Sequence, residues 1–267
     1  MRAMILAAGR GQRMGVLTAT QPKPLLTVAG RSLIQWQLER LKAAGIRDIV
    51  INTAYRGAQI VAALGDGRSQ GLNLHYSREE LLPTDATATP AGALQRSASP
   101  GGSASFTWDR SASSANAPAA PEASGLETAG GIIEALPRLG PEPFLVVNAD
   151  VWCDVDLATF VAGYDGHSEA LLLLVPTPDW KARGDFDWDD ATGRVRRGER
   201  FTFAGISLLT PALFAGLGRG WRPLAPVLHG AIARDAVQGC YHAGVWADIG
   251  TPERLALLAQ SLAPGLC

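Results

Sequence analysis

Four short stretches of this 267-residue chain carry residue types that handle anions and divalent cations. In the first, Leu6-Ala7-Ala8-Gly9-Arg10-Gly11-Gln12-Arg13, an apolar run opens into glycines and arginines. Glycines in such a turn let the main chain approach a ligand and adopt φ > 0. Their successive N–H groups can form an anion-binding concavity. The spacing is not the dinucleotide fingerprint, since Met14 stands where its third glycine belongs, and no Gly-Lys-Ser/Thr follows to make a P-loop. Taken alone, the stretch also reads as an ordinary turn between a strand and a helix, with two solvated arginines.

The second stretch sets Lys23 between Pro22 and Pro24. Prolines on both sides restrict the backbone, so a stiff, extended segment is expected to hold the ammonium. A rigid cation beside an arginine–glycine loop suits a polyphosphate. The third, Val146-Val147-Asn148-Ala149-Asp150, ends a buried apolar run in a carboxylate. Open α/β sheets place ligands at such strand ends, and Mg²⁺ takes one or two carboxylates together with substrate phosphates. An aspartate there also fits a helix cap. The fourth, Trp246-Ala247-Asp248-Ile249-Gly250-Thr251-Pro252-Glu253, offers Asp248 at another strand end, with Thr251 placed to cap a helix that begins at Pro252. Two such aspartates could share one metal.

The elements that must position these groups alternate in type. Short apolar strands are expected over 3–7, 48–52, 72–76, 144–150 and 169–176, and helices over 32–44, 57–64, 225–233 and 252–262. The run 144–150 lacks alternation, as a strand buried on both faces does. The order implies an α/β layer architecture built on a mainly parallel, mixed sheet flanked by helices.

One stretch breaks the pattern. From 83 to 125, 33 of 43 residues are Ala, Ser, Pro, Gly or Thr, too little large apolar surface to offset the entropy of ordering the chain. It reads as a flexible, low-complexity insertion within a single domain spanning 1–267. A net charge of −1 gives no electrostatic case for nucleic acid or an anionic membrane, and no run approaches the roughly 20 apolar residues of a membrane span. Cys153, Cys240 and Cys267 lack C-x-x-C spacing and suit a reducing, cytoplasmic setting as buried bystanders. The four histidines show no metal-ligand spacing.

Taken in order, the motifs LAAGRGQRM, QPKPLL, NAD and DIGTPE resemble those of the sugar-phosphate nucleotidyltransferases over essentially the whole chain except the insertion. Within that family the chain looks most similar to the short bacterial N-acetylmuramate 1-phosphate uridylyltransferases of peptidoglycan recycling. That similarity rests on Asn52, LETAGGI (126–132, with Ala129 in a run that is often all glycine), GDF (184–186) and TFAGIS (202–207).

The resemblance implies a Rossmann-like nucleotidyltransferase fold and Mg²⁺-dependent transfer of a nucleotidyl group from UTP to a sugar 1-phosphate. It implies catalytic Arg13, Lys23 and Asp150, with Asp150 and Asp248 as metal ligands. Nucleotide binding would fall to Leu6, Ala7, Ala8, Gly9, Arg10, Gly11, Asn52, Gly125 and Glu127, and sugar binding to Asp185, Thr202 and Gly205. The expected molecule is a monomer or small homo-oligomer. Alternatives are a guanylyl-, thymidylyl- or cytidylyltransferase of the same family, and a catalytically silent nucleotide-sugar sensor. A sensor has no need of the Arg13, Lys23, Asp150 and Asp248 set.

Overall fold

A computed structural model describes residues 1–79, 94–96, 106–108 and 125–262. The expected insertion therefore lies outside the described residues, apart from Gly125 and two short strands taken up below. The chain divides into two units, one formed by residues 1–81 with 125–267 and the other by 82–124.

In the larger unit, β1 (Ala3–Leu6) leads through two 3₁₀ turns, Gln12–Thr18 and Lys23–Leu25, to the small hairpin β2 (Thr27–Val28) and β3 (Arg31–Ser32). Helix α1 (Leu33–Ala43) follows, then β4 (Asp48–Thr53), α2 (Gly57–Leu64) and β5 (Asn73–Arg78). In the smaller unit, β6 (Leu94–Arg96) pairs antiparallel with β7 (Phe106–Trp108). The larger unit resumes with α3 (Glu127–Leu139), β8 (Phe144–Asn148), β9 (Val151–Cys153), α4 (Leu157–Ala162) and β10 (Ala170–Pro176). It continues through β11 (Phe186–Asp189), β12 (Arg194–Leu209), α5 (Leu224–Ala233), β13 (Val237–Tyr241), β14 (Trp246–Asp248) and α6 (Pro252–Ser261).

The main sheet runs β10-β13-β12-β8-β1-β4-β5, with β11 paired to β12. Strands β8, β1, β4 and β5 are parallel, whereas β12 runs antiparallel to β8 and β10. This is the mixed α/β sheet that the sequence implies. Alternation along β1 sends Ala3 and Ile5 into one layer, under α1, α2 and α4, and Met4 into the other, under α3 and α5. Both faces are covered, which explains the uninterrupted apolar strands. Helix α1 starts on a capping box in which the Ser32 hydroxyl accepts from Gln35 N–H and the Gln35 side chain accepts from Ser32 N–H.

Register then fixes the site. Leu6 lies opposite both Asn52 and Asn148, so the carboxyl ends of β1, β4 and β8 share one edge. Two sequence expectations change in detail, and one element is new. Lys23 is not on an extended segment: Pro22 and Leu26 are extended, and between them Lys23 opens a single 3₁₀ turn with Pro24. Asp150 is not the last residue of a strand, because β8 stops at Asn148 and Asp150 sits in the tight turn into β9. The polar 16-residue strand β12 and its hairpin with β11 have no counterpart in the sequence reading.

Candidate active site

The turn after β1 bends over the shared strand edge. Ala7 N–H donates to Asn52 Oδ1 at 2.9 Å, so β4 holds the first residue of the loop in place. Gly11 has φ +64°, a conformation that disfavours a side chain, and an added Cβ would lie 3.0 Å from Lys23 Cβ. The glycine thus serves both the turn and the close passage of the lysine segment. Met14, in the position of the absent third glycine, is buried in a small core with Leu26, Leu33 and Ile249. It anchors the loop from beneath.

A cavity of about 460 Å³ opens against this loop. Its wall comprises Leu6, Ala7, Gly9, Arg10, Gly11, Gln12 and Arg13 from the loop, Lys23 and Pro24 from the 3₁₀ turn, Ala149 and Asp150 from the β8–β9 turn, and Gly250. Ala8 occupies the same loop, between Ala7 and Gly9. Inside this wall the buried Lys23 ammonium donates to Asp150 Oδ2 at 2.5 Å.

Asp248 reaches the same region by a different route. Strand β14 pairs antiparallel with β9, Asp248 opposite Val151, and Ile249 N–H donates to the Asp150 carbonyl at 2.9 Å. A Cβ on Gly250 would lie 3.1 Å from both Arg13 Nη2 and Asp248 Oδ2. The bare glycine is therefore where the Arg13 guanidinium and the Asp248 carboxylate converge. Asp248 Oδ2 also accepts from Arg254 Nη1 at 2.7 Å. Arg254 lies on α6, whose first turn is capped by the Thr251 hydroxyl. The same Thr251 hydroxyl holds the Glu253 carboxyl below the usual carboxylate range.

Asn52 connects the cavity to α3. Its Nδ2 donates to Glu79 Oε1 at 2.7 Å, and Glu79 Oε2 accepts from Leu126 N–H at 2.9 Å. Gly125 lies against Glu79, where a Cβ would come within 2.6 Å of Oε2. Glu127 is exposed and enters α3 with φ +61°. Of the two sequence candidates, Gly125 thus lies beside the Asn52–Glu79 contact and Glu127 opens α3 two residues on, and neither is part of the cavity wall.

The proposed sugar residues divide into two groups. Asp185 and Thr202 come together around Lys181, whose Nζ lies 2.6 Å from Asp185 Oδ2 and 3.4 Å from Thr202 Oγ1. Phe203 N–H also donates to Asp185 Oδ2, at 2.9 Å. Gly205 instead packs on Asn148 at φ +75°, where a Cβ would come within 2.6 Å of Asn148 Nδ2. It belongs to the strand edge beside Asp150. Trp180 adjoins Lys181 in sequence, and the Arg254 guanidinium lies 3.6 Å from its ring centroid. Asp248, Arg254 and Trp180 therefore form one chain of contacts running toward the Lys181 cluster. Trp180, Lys181 and Arg254 were missed in the sequence, although Arg254 directly follows the DIGTPE motif.

Residues 2–197 match the Nucleotidyl transferase family. The chain belongs to that family. Among its relatives, the N-acetylmuramate alpha-1-phosphate uridylyltransferase of Neisseria meningitidis serogroup B is 44% identical, with 98% of each chain covered. The protein of the same name from Caulobacter vibrioides is 28% identical, over 94% of this chain and 92% of its own. Among solved structures, HddC from Yersinia pseudotuberculosis matches with a TM-score of 0.68 at 17% identity, over 98% of this chain and 99% of that one. This last likeness bears on the fold. The loop, the lysine and Asp150 that line the cavity all lie within the matched residues 2–197.

Proposed function

We propose that this chain transfers the uridylyl group of UTP to N-acetylmuramate 1-phosphate, giving the UDP-sugar and pyrophosphate. The observation that carries the reading is the Lys23–Asp150 pair set in a cavity walled by the Gly9–Arg13 loop and Gly250. The full-length similarity to the meningococcal enzyme supports the choice of base and sugar.

A phosphate oxygen of the sugar 1-phosphate attacks the α-phosphorus of UTP. The bond from the α-phosphorus to the α,β-bridging oxygen of UTP breaks, and pyrophosphate leaves as an anion. The nucleophile is already ionised, so no residue needs to act as a strong base, and catalysis rests on positioning and charge neutralisation. The loop N–H groups from Gly9 to Gly11 cradle the triphosphate. Arg13 meets the charge of the departing pyrophosphate. Lys23, held by Asp150, stands between the α-phosphate and the incoming sugar phosphate. Asn52 and the α3 entrance face the base, and Asp185, Lys181 and Thr202 face the sugar.

Asp150 and Asp248 form an all-oxygen donor pair joined through the Ile249–Asp150 backbone bond, which fits the preference of Mg²⁺ for hard oxygen ligands. Bound there, Mg²⁺ would screen the repulsion between the two polyanionic substrates. Among the described residues no helix is long and apolar enough to cross a membrane; as part of this proposal we place the reaction in the cytoplasm. Pyrophosphate release by the purified chain, assayed with a panel of triphosphates and sugar 1-phosphates, tests the reading. UTP with N-acetylmuramate 1-phosphate is expected to give the highest kcat/KM. A higher value with mannose 1-phosphate and GTP, or with glucose 1-phosphate, would overturn the substrate assignment.

A further inference from the structure

A second cluster of ligating groups lies on the ladder that carries the active-site aspartates. Cys153 Sγ, a carboxylate oxygen of Asp154 and a ring nitrogen of His242 all lie within 4.8 Å of one another. Spacing along the chain hides this set, because the end of β9 and the residue after it supply the first two ligands and the segment after β13 supplies the third, 88 positions from Asp154.

The backbone fixes all three. Cys153 lies opposite Trp246 in the β9–β14 ladder, Asp154 N–H donates to the Val245 carbonyl at 3.0 Å, and His242 N–H donates to the Leu174 carbonyl at 2.8 Å. Gly244 provides the space around them. A Cβ there would lie 2.5 Å from His242 Nε2 and 2.6 Å from Asp154 Oδ1. Its backbone does not require positive φ, so it is the approach of these ligand atoms that excludes a side chain.

We propose that Cys153, Asp154 and His242 bind one Zn²⁺ ion, with water from the solvent side as the fourth ligand. A thiolate with an imidazole selects zinc over magnesium, and a carboxylate completes a three-residue zinc set. Cys153 is buried, whereas Asp154 is 41% exposed at its side chain, so the cluster opens on one side only. In the metal-free chain His242 Nε2 lies 2.6 Å from Asp154 Oδ1. That contact places a hydrogen on Nε2, so on binding the imidazole shifts through solvent to its Nδ1–H tautomer, the freed Nε2 lone pair goes to the ion, and the Cys153 thiol proton is released to solvent. Thiolate and carboxylate then balance the charge of the ion.

The neighbouring cation is Arg40 on α1. Its guanidinium donates to the Val155 carbonyl at 3.0 Å and to Gln37 Oε1 at 3.2 Å. Burial pushes the Cys153 thiol up, and Arg40, oriented past the cluster by those acceptors, offsets part of this without occupying a ligand position. Zinc here would clamp the end of the β9–β14 ladder opposite the one that bears Asp150 and Asp248.

Cobalt titration of the chelator-stripped, full-length protein tests the proposal. One equivalent of Co²⁺ is expected to produce a thiolate-to-metal charge-transfer band that Zn²⁺ abolishes by displacement. Cys153→Ser should lose the band, and Asp150→Asn should keep it. The double variant Asp154→Asn with His242→Gln alters only partly exposed groups and should bind Co²⁺ at least about tenfold more weakly. Three results would overturn the proposal: no such band in the parent protein at one equivalent, a band that survives Cys153→Ser and so arises from Cys240 or Cys267, or unchanged affinity in the double variant.

Discussion

The Lys23 ammonium donates to Asp150 at 2.5 Å, joining two residues of the cavity wall that lie 127 positions apart. Gly11 allows this approach, because the lysine stem passes where a side chain on that residue would stand. In the proposed reaction the pair would hold Lys23 in place beside the phosphates and offset the charge of the Asp150 carboxylate.

Lys23→Ala is therefore expected to lower kcat by roughly 100-fold or more, the scale seen when one charge-stabilising donor is removed. Asp150 is 33% exposed at its side chain and can be hydrated once its partner is gone, so the variant should still fold. Pyrophosphate release and a melting curve on the same preparation check both halves. Near-parental turnover would remove Lys23 from the mechanism.

Gly131 sets two effects against each other. It lies within α3, where replacing glycine by alanine usually gains about 1 kcal/mol. Here the new Cβ would sit 2.6 Å from Glu79 Oε1 and 2.9 Å from Asn52 Nδ2, in the contact that links the cavity to α3. Overpacking of that kind costs about 1–3 kcal/mol, so the net effect of Gly131→Ala is destabilising. Because Asn52 also holds Ala7 N–H, KM for UTP should rise several-fold. A stabilised variant with unchanged KM would show that Asn52 and Glu79 do not shape the nucleotide end.

Arg254 occupies the Asp248 oxygen that faces Arg13 and Gly250. If Asp248 is a magnesium ligand, this guanidinium competes with the ion. Arg254→Ala should then lower the half-saturating Mg²⁺ concentration, by about two- to fivefold for a partly exposed charge. The same change removes the cation stacked on Trp180 and should raise KM for the sugar phosphate. Activity measured across a magnesium series separates the two effects. A half-saturation point that stays put or rises would count against Asp248 as a ligand.

The parts of this fold that are legible in the sequence are those where one local signal dominates. Ser32 and Gln35 mark the start of α1 because both partners of its capping box lie within one turn. Thr251 and Pro252 mark α6 in the same way. The β11–β12 hairpin was not legible, because charged residues such as Arg196, Arg197 and Glu199 break the apolar pattern on a strand extension that leaves the covered part of the sheet. At the site, motif order indicates that Gly9–Gly11, Lys23, Asp150 and Asp248 belong together. It cannot show which groups touch. Lys23 meets Asp150, Asp248 meets Arg254, and Arg254 meets Trp180 only through long-range packing.

A final prediction concerns acid stability away from the cavity. Asp165 accepts hydrogen bonds from Ser168 N–H at 2.8 Å, Ser168 Oγ at 2.6 Å and His167 N–H at 3.0 Å, and it pairs with Arg194 at 3.1 Å. Burial alone would push its carboxyl up, but the hydrogen bonds from Ser168 and His167 outweigh burial and hold it at about 2. In the unfolded chain an aspartate titrates near about 3.9. The folded pKa is the lower of the two, so the stabilisation is fully present above about pH 4 and is lost as pH falls through about 2. Asp165→Asn cannot titrate there and should lower Tm by a constant amount across the neutral range. The gap between parent and variant should narrow steadily as pH falls from about 4 toward 2. Melting temperatures of both proteins over that range provide the check, and a gap that persists undiminished at the acid end would mean that the ionised Asp165 network does not contribute to stability.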